Sequence, residues 1–175
     1  MTNAIEVEHL VKSYGDFTAV CDLSFTVRPG EVFCLLGPNG AGKTTTTEIL
    51  EGYRDRTSGH VSVLGFDPGR GERSFRERIG IVLQECGVQA DLTVAEVLDM
   101  YGAYYPNRLA TADVIELVEL EAKATDRVGH LSGGQRRRLD IGLALIGDPD
   151  LVFLDEPTTG FDPSARREFW NVIQG

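Results

Sequence analysis

The sequence predicts an α/β fold, and three observations carry that reading. Continuous apolar runs of strand length stand at residues 32–36, 79–83 and 151–154, which suits strands buried on both faces. Between residues 91 and 135 apolar side chains recur at helical spacing. A glycine-rich segment at 37–44 joins the first apolar run to helix-forming residues. At 175 residues the chain is one domain's worth, 1–175, with a helical subdomain at about 90–135.

The elements follow in order. Residues 5–11 read as a strand, with a loop at Gly15; Leu23, Phe25 and Val27 then alternate as in a half-buried strand. Arg28-Pro29-Gly30 turns the chain back before the 32–36 strand. Residues 43–50 form a helix, Val61, Val63 and Leu64 continue the β pattern, and 79–83 is a short buried strand. Thr93 and Glu96 have capping-box spacing, opening a helix lined by Val94, Val97, Leu98, Tyr101 and Tyr105. Val114, Leu117 and Val118 begin a second helix, and Leu139, Leu143 and Ile146 line a third that ends at Asp148-Pro149. Residues 151–154 form another buried strand, and Pro163 opens a final helix.

Composition narrows the function classes. Apolar residues at 42% and charged residues at 25% are the balance of a soluble globular protein. A net charge of −10 argues against a nucleic-acid partner, which favours a basic surface. Arg136, Arg137 and Arg138, like the arginines from Arg70 to Arg78, read as solvated faces or partners of nearby acids. Cys21, Cys34 and Cys86 lack metal-like spacing and fit buried free thiols in a reducing compartment. No apolar stretch reaches the roughly 20 residues that span a bilayer, and no signal peptide opens the chain. Work at a membrane therefore needs a partner that carries the membrane-spanning part.

Three motifs carry chemistry. Gly37-Pro38-Asn39-Gly40-Ala41-Gly42-Lys43-Thr44 stands between a strand and a helix, where glycines let backbone N–H groups face phosphate oxygens beside a helix N-terminus. Lys43 would reach the outer phosphates and Thr44 would offer its hydroxyl to Mg²⁺; the plainer alternative is a glycine-rich turn. Asp155 and Glu156 end an apolar strand, the end at which open α/β sheets place their chemistry. Adjacent strand residues point to opposite sides, so Asp155 suits the Mg²⁺ shell and Glu156 a general base; a solvated strand end is the alternative. Ser132-Gly133-Gly134-Gln135 follows Leu131 and has capping-box spacing. A cap alone does not explain two glycines where a helix former is better by about 1 kcal/mol each; they leave bare backbone for a phosphate.

Together and in this order, these motifs resemble the ATP-binding cassette (ABC) ATPases over nearly the whole chain. The resemblance implies a P-loop NTPase core with an N-terminal antiparallel β part and a helical insertion, and ATP and Mg²⁺ as substrate and cofactor. It implies that Thr45 touches the inner phosphate, that Tyr14 stacks on adenine, and that Gln84 senses Mg²⁺ and water. It also implies that Ser132, Gly133, Gly134 and Gln135 meet the γ-phosphate held by a second copy's loop. The result is a head-to-tail homodimer, or a pair with a related ATPase subunit. Asp162 matches the loop that crosses to that copy, although Phe161 stands where the family more often has leucine. Glu51-Gly52-Tyr53, the 63–68 segment and the 84–88 segment are similar to ATPases of the ABC-2 type, associated with export of drugs, lipids or polysaccharides. The implied partner is a transmembrane permease, and the implied location is cytoplasmic, peripheral at the inner face of the cell membrane.

One feature departs from the family. Its switch histidine follows the Asp-Glu strand by a few tens of residues, but only nineteen residues follow Glu156, and His9, His60 and His130 all lie upstream. The family's intervening strand is then also lacking, so the expectation is a core incomplete at its C-terminus, with ladder groups on its neighbours unpaired at about 1–3 kcal/mol each. Two other readings stay open: a non-hydrolysing nucleotide- or partner-binding fragment, and a soluble ABC ATPase of DNA repair or translation.

Overall fold

The computed structural model describes residues 3–82 and 87–154, and the chain divides into two compact units, 1–76 and 77–175. In the first, β1 (Ile5–Tyr14), β2 (Phe17–Val27) and β3 (Ser58–Val63) form an antiparallel sheet in the order β2-β1-β3. Alternation sets its faces: Ile5, Val7, Val61 and Val63 are buried, while Glu8 and His60 are exposed. β1 and β2 form a hairpin closed by Tyr14 opposite Phe17, with Gly15 at φ 56°. The β1 register slips between Val7 and Leu10, where His9 takes φ 50°, and Asp22 on β2 takes φ 53°. His9 Nδ1 and Asp22 Oδ1 lie 2.6 Å apart, joining the two strained residues across this irregularity.

Helix α1 (Lys43–Leu50) buries Thr46, Ile49 and Leu50. After β3 the chain reverses through Leu64 and Gly65, at φ 51° and 82°. Val63 and Phe66 close that turn by exchanging N–H···O bonds of 2.8 and 2.9 Å. Leu64 thus belongs to the turn and not to the strand. Arg56 clasps Asp67 with both terminal nitrogens, at 2.7 and 2.9 Å, and Asp67 also accepts from Gly69 N at 3.1 Å. This guanidinium and the backbone donor hold the Asp67 carboxyl down at about 2. A short helix, α2 (Arg73–Arg76), contributes the buried Phe75.

Residues 32–36 correct the sequence reading. They form no strand, and Val32, Phe33 and Leu36 are 64%, 44% and 85% exposed. The physical reason is the ladder: neither sheet includes this run, and among the described residues its backbone makes no hydrogen bond to another element. An apolar run becomes a buried strand only with neighbours on its edges. Phe33 stacks instead on Phe25 of β2, with ring centroids 5.0 Å apart. The cysteines follow suit: Cys21 lies on the exposed side of β2 and Cys34 in this open run, so both thiols are exposed and not buried.

In the second unit β4 (Ile79–Val82) and β5 (Leu151–Leu154) pair in parallel, Ile79 opposite Leu151 through Val82 opposite Leu154. Helices α3 (Val94–Gly102), α4 (Thr111–Leu117) and α5 (Gly133–Leu145) surround a core of Val94, Val97, Leu98, Val114, Leu139 and Ile146. The predicted capping box opens α3, with Thr93 Oγ1 accepting from Glu96 N at 3.2 Å and Glu96 accepting from Thr93 N at 2.8 Å. These bonds to Thr93 lower the Glu96 pKa. Gly80 lets α5 lie against β4, since a Cβ there would stand 2.3 Å from the Ala144 carbonyl oxygen. Two helical positions differ from expectation: Leu117 is 45% exposed while Ile115 is buried, and Tyr105 packs on the core from beyond the end of α3. Arg137 is buried beside Asp140 rather than solvated, and Arg138 pairs with Glu119 at 2.7 Å. No helix among the described residues is long and apolar enough to cross a membrane.

Candidate functional site

Residues 37–42 form a loop, exposed over 37–41, that runs directly into α1. Ala41 N donates to the Pro38 carbonyl at 3.2 Å, and Gly40 takes φ 83°, so the loop is a compact reversal. Gly42 caps α1 at φ 80°, ψ 11°, a left-handed conformation that side chains resist. It is also crowded: a Cβ there would lie 2.3 Å from Ala19 O and 3.0 Å from Val20 Cγ2 of β2. The helix start is therefore seated on the hairpin by a residue that only glycine can supply. No side chain caps α1, so its first N–H groups keep the positive end of the helix available to an anion.

Lys43 is the charge at that end. Its Nζ donates to the carbonyls of Gly37 at 2.8 Å and Pro38 at 2.9 Å, which folds the side chain back across the loop. An ammonium has three protons, and two of them are used here. Thr44 is exposed at the first turn and Thr45 is half-buried, whereas Thr46 turns inward and donates to the Gly42 carbonyl at 2.8 Å. The predicted residues Gly37, Pro38, Asn39, Gly40, Ala41, Gly42, Lys43, Thr44 and Thr45 thus share one loop and helix start. The bare N-terminus, the two left-handed glycines and the inward ammonium fit a phosphate.

Tyr14 belongs to the same unit, at the end of β1 and 41% exposed. Lys12 Nζ lies 4.9 Å from its ring centroid and the Arg54 guanidinium carbon 5.5 Å. Arg54 in turn donates through Nε to Glu48 Oε2 at 2.5 Å, a bond that raises its pKa further. The sequence reading missed Arg54 and Glu48. Glu48 in the last turn of α1 and Arg54 just after it were visible, but contact of Arg54 with a tyrosine forty residues earlier was not.

In the second unit Ser132 caps α5 with a full capping box. Gln135 N donates to Ser132 Oγ at 3.3 Å and Ser132 N donates to Gln135 Oε1 at 2.9 Å. Gly133 and Gly134 are exposed, and a Cβ at either would meet no atom within 4 Å. Packing therefore does not require these two glycines; they leave open backbone at the helix N-terminus. Gln84, Asp155, Glu156 and Asp162 lie outside the described residues. Among the described residues no group of acidic, histidine or cysteine side chains is arranged to hold a metal.

A glycine-bounded loop at a helix start beside an antiparallel hairpin, with a separately capped glycine helix, defines a class: the P-loop NTPase fold of the ATP-binding cassettes. The family described as ABC transporter matches residues 20–159, and the chain belongs to it. It is 45% identical over 176 residues to the Nod factor export ATP-binding protein I of Paraburkholderia xenovorans, covering 98% of this chain and 58% of that protein. With the protein of the same name from Rhizobium meliloti it shares 46% over 180 residues, covering 99% and 53%. The chain thus spans somewhat more than half the length of these relatives. A solved ATP-binding subunit of an ABC transporter superimposes with a TM-score of 0.83 at 27% identity, over 99% of this chain and 74% of that one. A dimeric ATP-binding cassette in a post-hydrolysis state with ADP and Pi has the same fold, with a TM-score of 0.81 at 23% identity over 97% of this chain and 81% of that one.

Proposed function

We propose that this chain is the ATP-binding part of an ABC exporter and, in its complete form, hydrolyses ATP to drive transport. The observation that carries the reading is the Lys43 ammonium folded across residues 37–42 at the uncapped start of α1. An arriving triphosphate offers stronger acceptors than the two carbonyls, so Lys43 exchanges them for phosphate oxygens. Backbone N–H groups of the loop and first turn hold the remaining charge without reorganising, since Gly40 and Gly42 already fix the loop's shape. Thr44 and Asp155, with Gln84, are the residues that would hold Mg²⁺, which when bound neutralises charge on the outer phosphates. Glu156 accepts a proton from the attacking water as general base.

The reading extends to partners. The open backbone at Gly133 and Gly134 supports a head-to-tail dimer, or a pair with a related ATPase subunit, in which α5 of one copy faces the phosphate loop of the other. Asp162 belongs to the same contact. The relatives' name supports export, through a transmembrane permease that fixes the protein to the inner face of the membrane. The units 1–76 and 77–175 then act as parts of one cassette, with the helical subdomain at about 90–135.

A thermal melt with and without Mg-ATP tests the core of this reading. At a ligand concentration a hundredfold over Kd, binding to the folded state adds about 2.7 kcal/mol. The expected result is a higher melting temperature in the unmutated chain and none in Lys43→Ala. An equal response in both would remove Lys43 and its loop from the site. In a hydrolysing form, Glu156→Gln keeps ATP binding and loses turnover; unchanged turnover would remove Glu156 from the chemistry.

A further inference from the structure

The two cations over Tyr14 are held differently. Lys12 comes from the same strand, two residues back, so it follows the ring wherever β1 goes. Arg54 comes from the segment after α1 and is fixed there twice. Its backbone N–H donates to the Glu48 carbonyl at 3.1 Å, and its Nε donates to the Glu48 carboxylate at 2.5 Å. Glu48 lies near the end of the helix whose start carries the phosphate loop. At 1.5 Å per residue that helix is about 12 Å long, so one rigid rod connects the phosphate end to the guanidinium that lies over Tyr14.

We propose that Arg54, held by Glu48, is a positioning residue that fixes the Tyr14 ring for a nucleotide base. This rests on the reading of Tyr14 as the base-stacking residue. A tyrosine 41% exposed at a hairpin end has little packing of its own to select a rotamer. A guanidinium over the ring selects one, through its attraction to the π-face. Because the guanidinium is tied to α1, it sets the ring's position relative to the loop at the start of that helix. Lys12 does not substitute for it: its Nζ is nearer the ring, but it comes from the ring's own strand and carries no tie to α1.

The test compares ATP with inorganic tripolyphosphate, which reports the phosphate loop alone. Both are titrated with Mg²⁺ into the unmutated chain, Tyr14→Leu, Arg54→Met, Arg54→Lys and Glu48→Gln, each checked for folding by its circular dichroism melt. The expected result is that Arg54→Met weakens ATP about two- to fivefold, the scale of an exposed cation–π contact. Tripolyphosphate binding stays unchanged, and Arg54→Lys and Glu48→Gln fall between. If Arg54→Met shifts both ligands equally, Arg54 serves only the fold and the proposal fails. The proposal also fails if Tyr14→Leu weakens ATP selectively while Arg54→Met does not; the base-stacking reading then stands without it. If Tyr14→Leu leaves ATP unchanged while tripolyphosphate still binds, the stacking reading itself is wrong and the proposal falls with it.

Discussion

Replacing Gly133 and Gly134 by alanine separates stability from function. Both stand in the first turn of α5 with no positive φ, and an added Cβ would meet nothing within 4 Å at either. No clash opposes the substitution, so helix propensity decides its sign. Glycine is less favourable than alanine by about 0.8–1.0 kcal/mol in a helix interior, and first-turn positions realise part of that. Each variant should therefore be more stable by about 0.5 kcal/mol, and the double variant by about 1 kcal/mol. With a urea slope of about 1–3 kcal/mol/M, the double variant's midpoint rises by roughly 0.3–1 M. Stabilising a helix should not harm a protein that uses it only as scaffold. On the proposed reading it does harm here, because two methyl groups stand where a phosphate meets bare backbone. In a Glu156→Gln background, ATP-dependent dimerisation followed by light scattering should fall at least tenfold, while ATP still raises the melting temperature of the monomer. A lower urea midpoint would refute the geometric half of the argument. Dimerisation at the unmutated level would refute the functional half.

Other outcomes follow from the same geometry. Gly42→Ala forces a side chain into φ 80° and toward the Ala19 carbonyl 2.3 Å away, so it should lose about 2–4 kcal/mol by urea melt; a loss under 0.5 kcal/mol would show that the helix start is not seated on β2. Ser132→Ala removes the acceptor for Gln135 N and should cost about 1 kcal/mol, with Gly133 and Gly134 left intact. Asp67, held down at about 2 by Arg56 and the Gly69 N–H, contributes stability that is present above its ordinary pKa. That contribution is lost as pH falls from about 4 through about 2. Asp67→Asn should therefore lower stability at neutral pH by about 1–2 kcal/mol, allowing for partial exposure, and should flatten acid unfolding over that window. Parallel acid-unfolding curves for the two proteins would contradict this assignment.

Local chemistry was legible in the sequence because local forces decide it. The capping boxes at Thr93 and Ser132 depend on residues three apart, and both form. Helix α1 begins at Lys43, directly after the glycines that shape the loop before it. The parallel pair at residues 79–82 and 151–154 matches two of the apolar runs. The third run, residues 32–36, looked the same and did not become a strand, because a strand exists only through neighbours that its own residues do not specify. The exposed Cys34 and the unburied Val32 and Leu36 follow from that single fact. Leu64 carried a β-like side chain, but the exchange of hydrogen bonds between Val63 and Phe66 placed it in the turn. The tertiary structure also brought Arg54 over Tyr14. That contact depends on where the hairpin and the end of α1 meet, and spacing along the chain does not encode it. The sequence by itself determined the glycine loop before α1, the caps and the family, since each is written in residues that act on their immediate neighbours. Which apolar runs are buried, and what supports the tyrosine, was decided by pairing and packing across long separations.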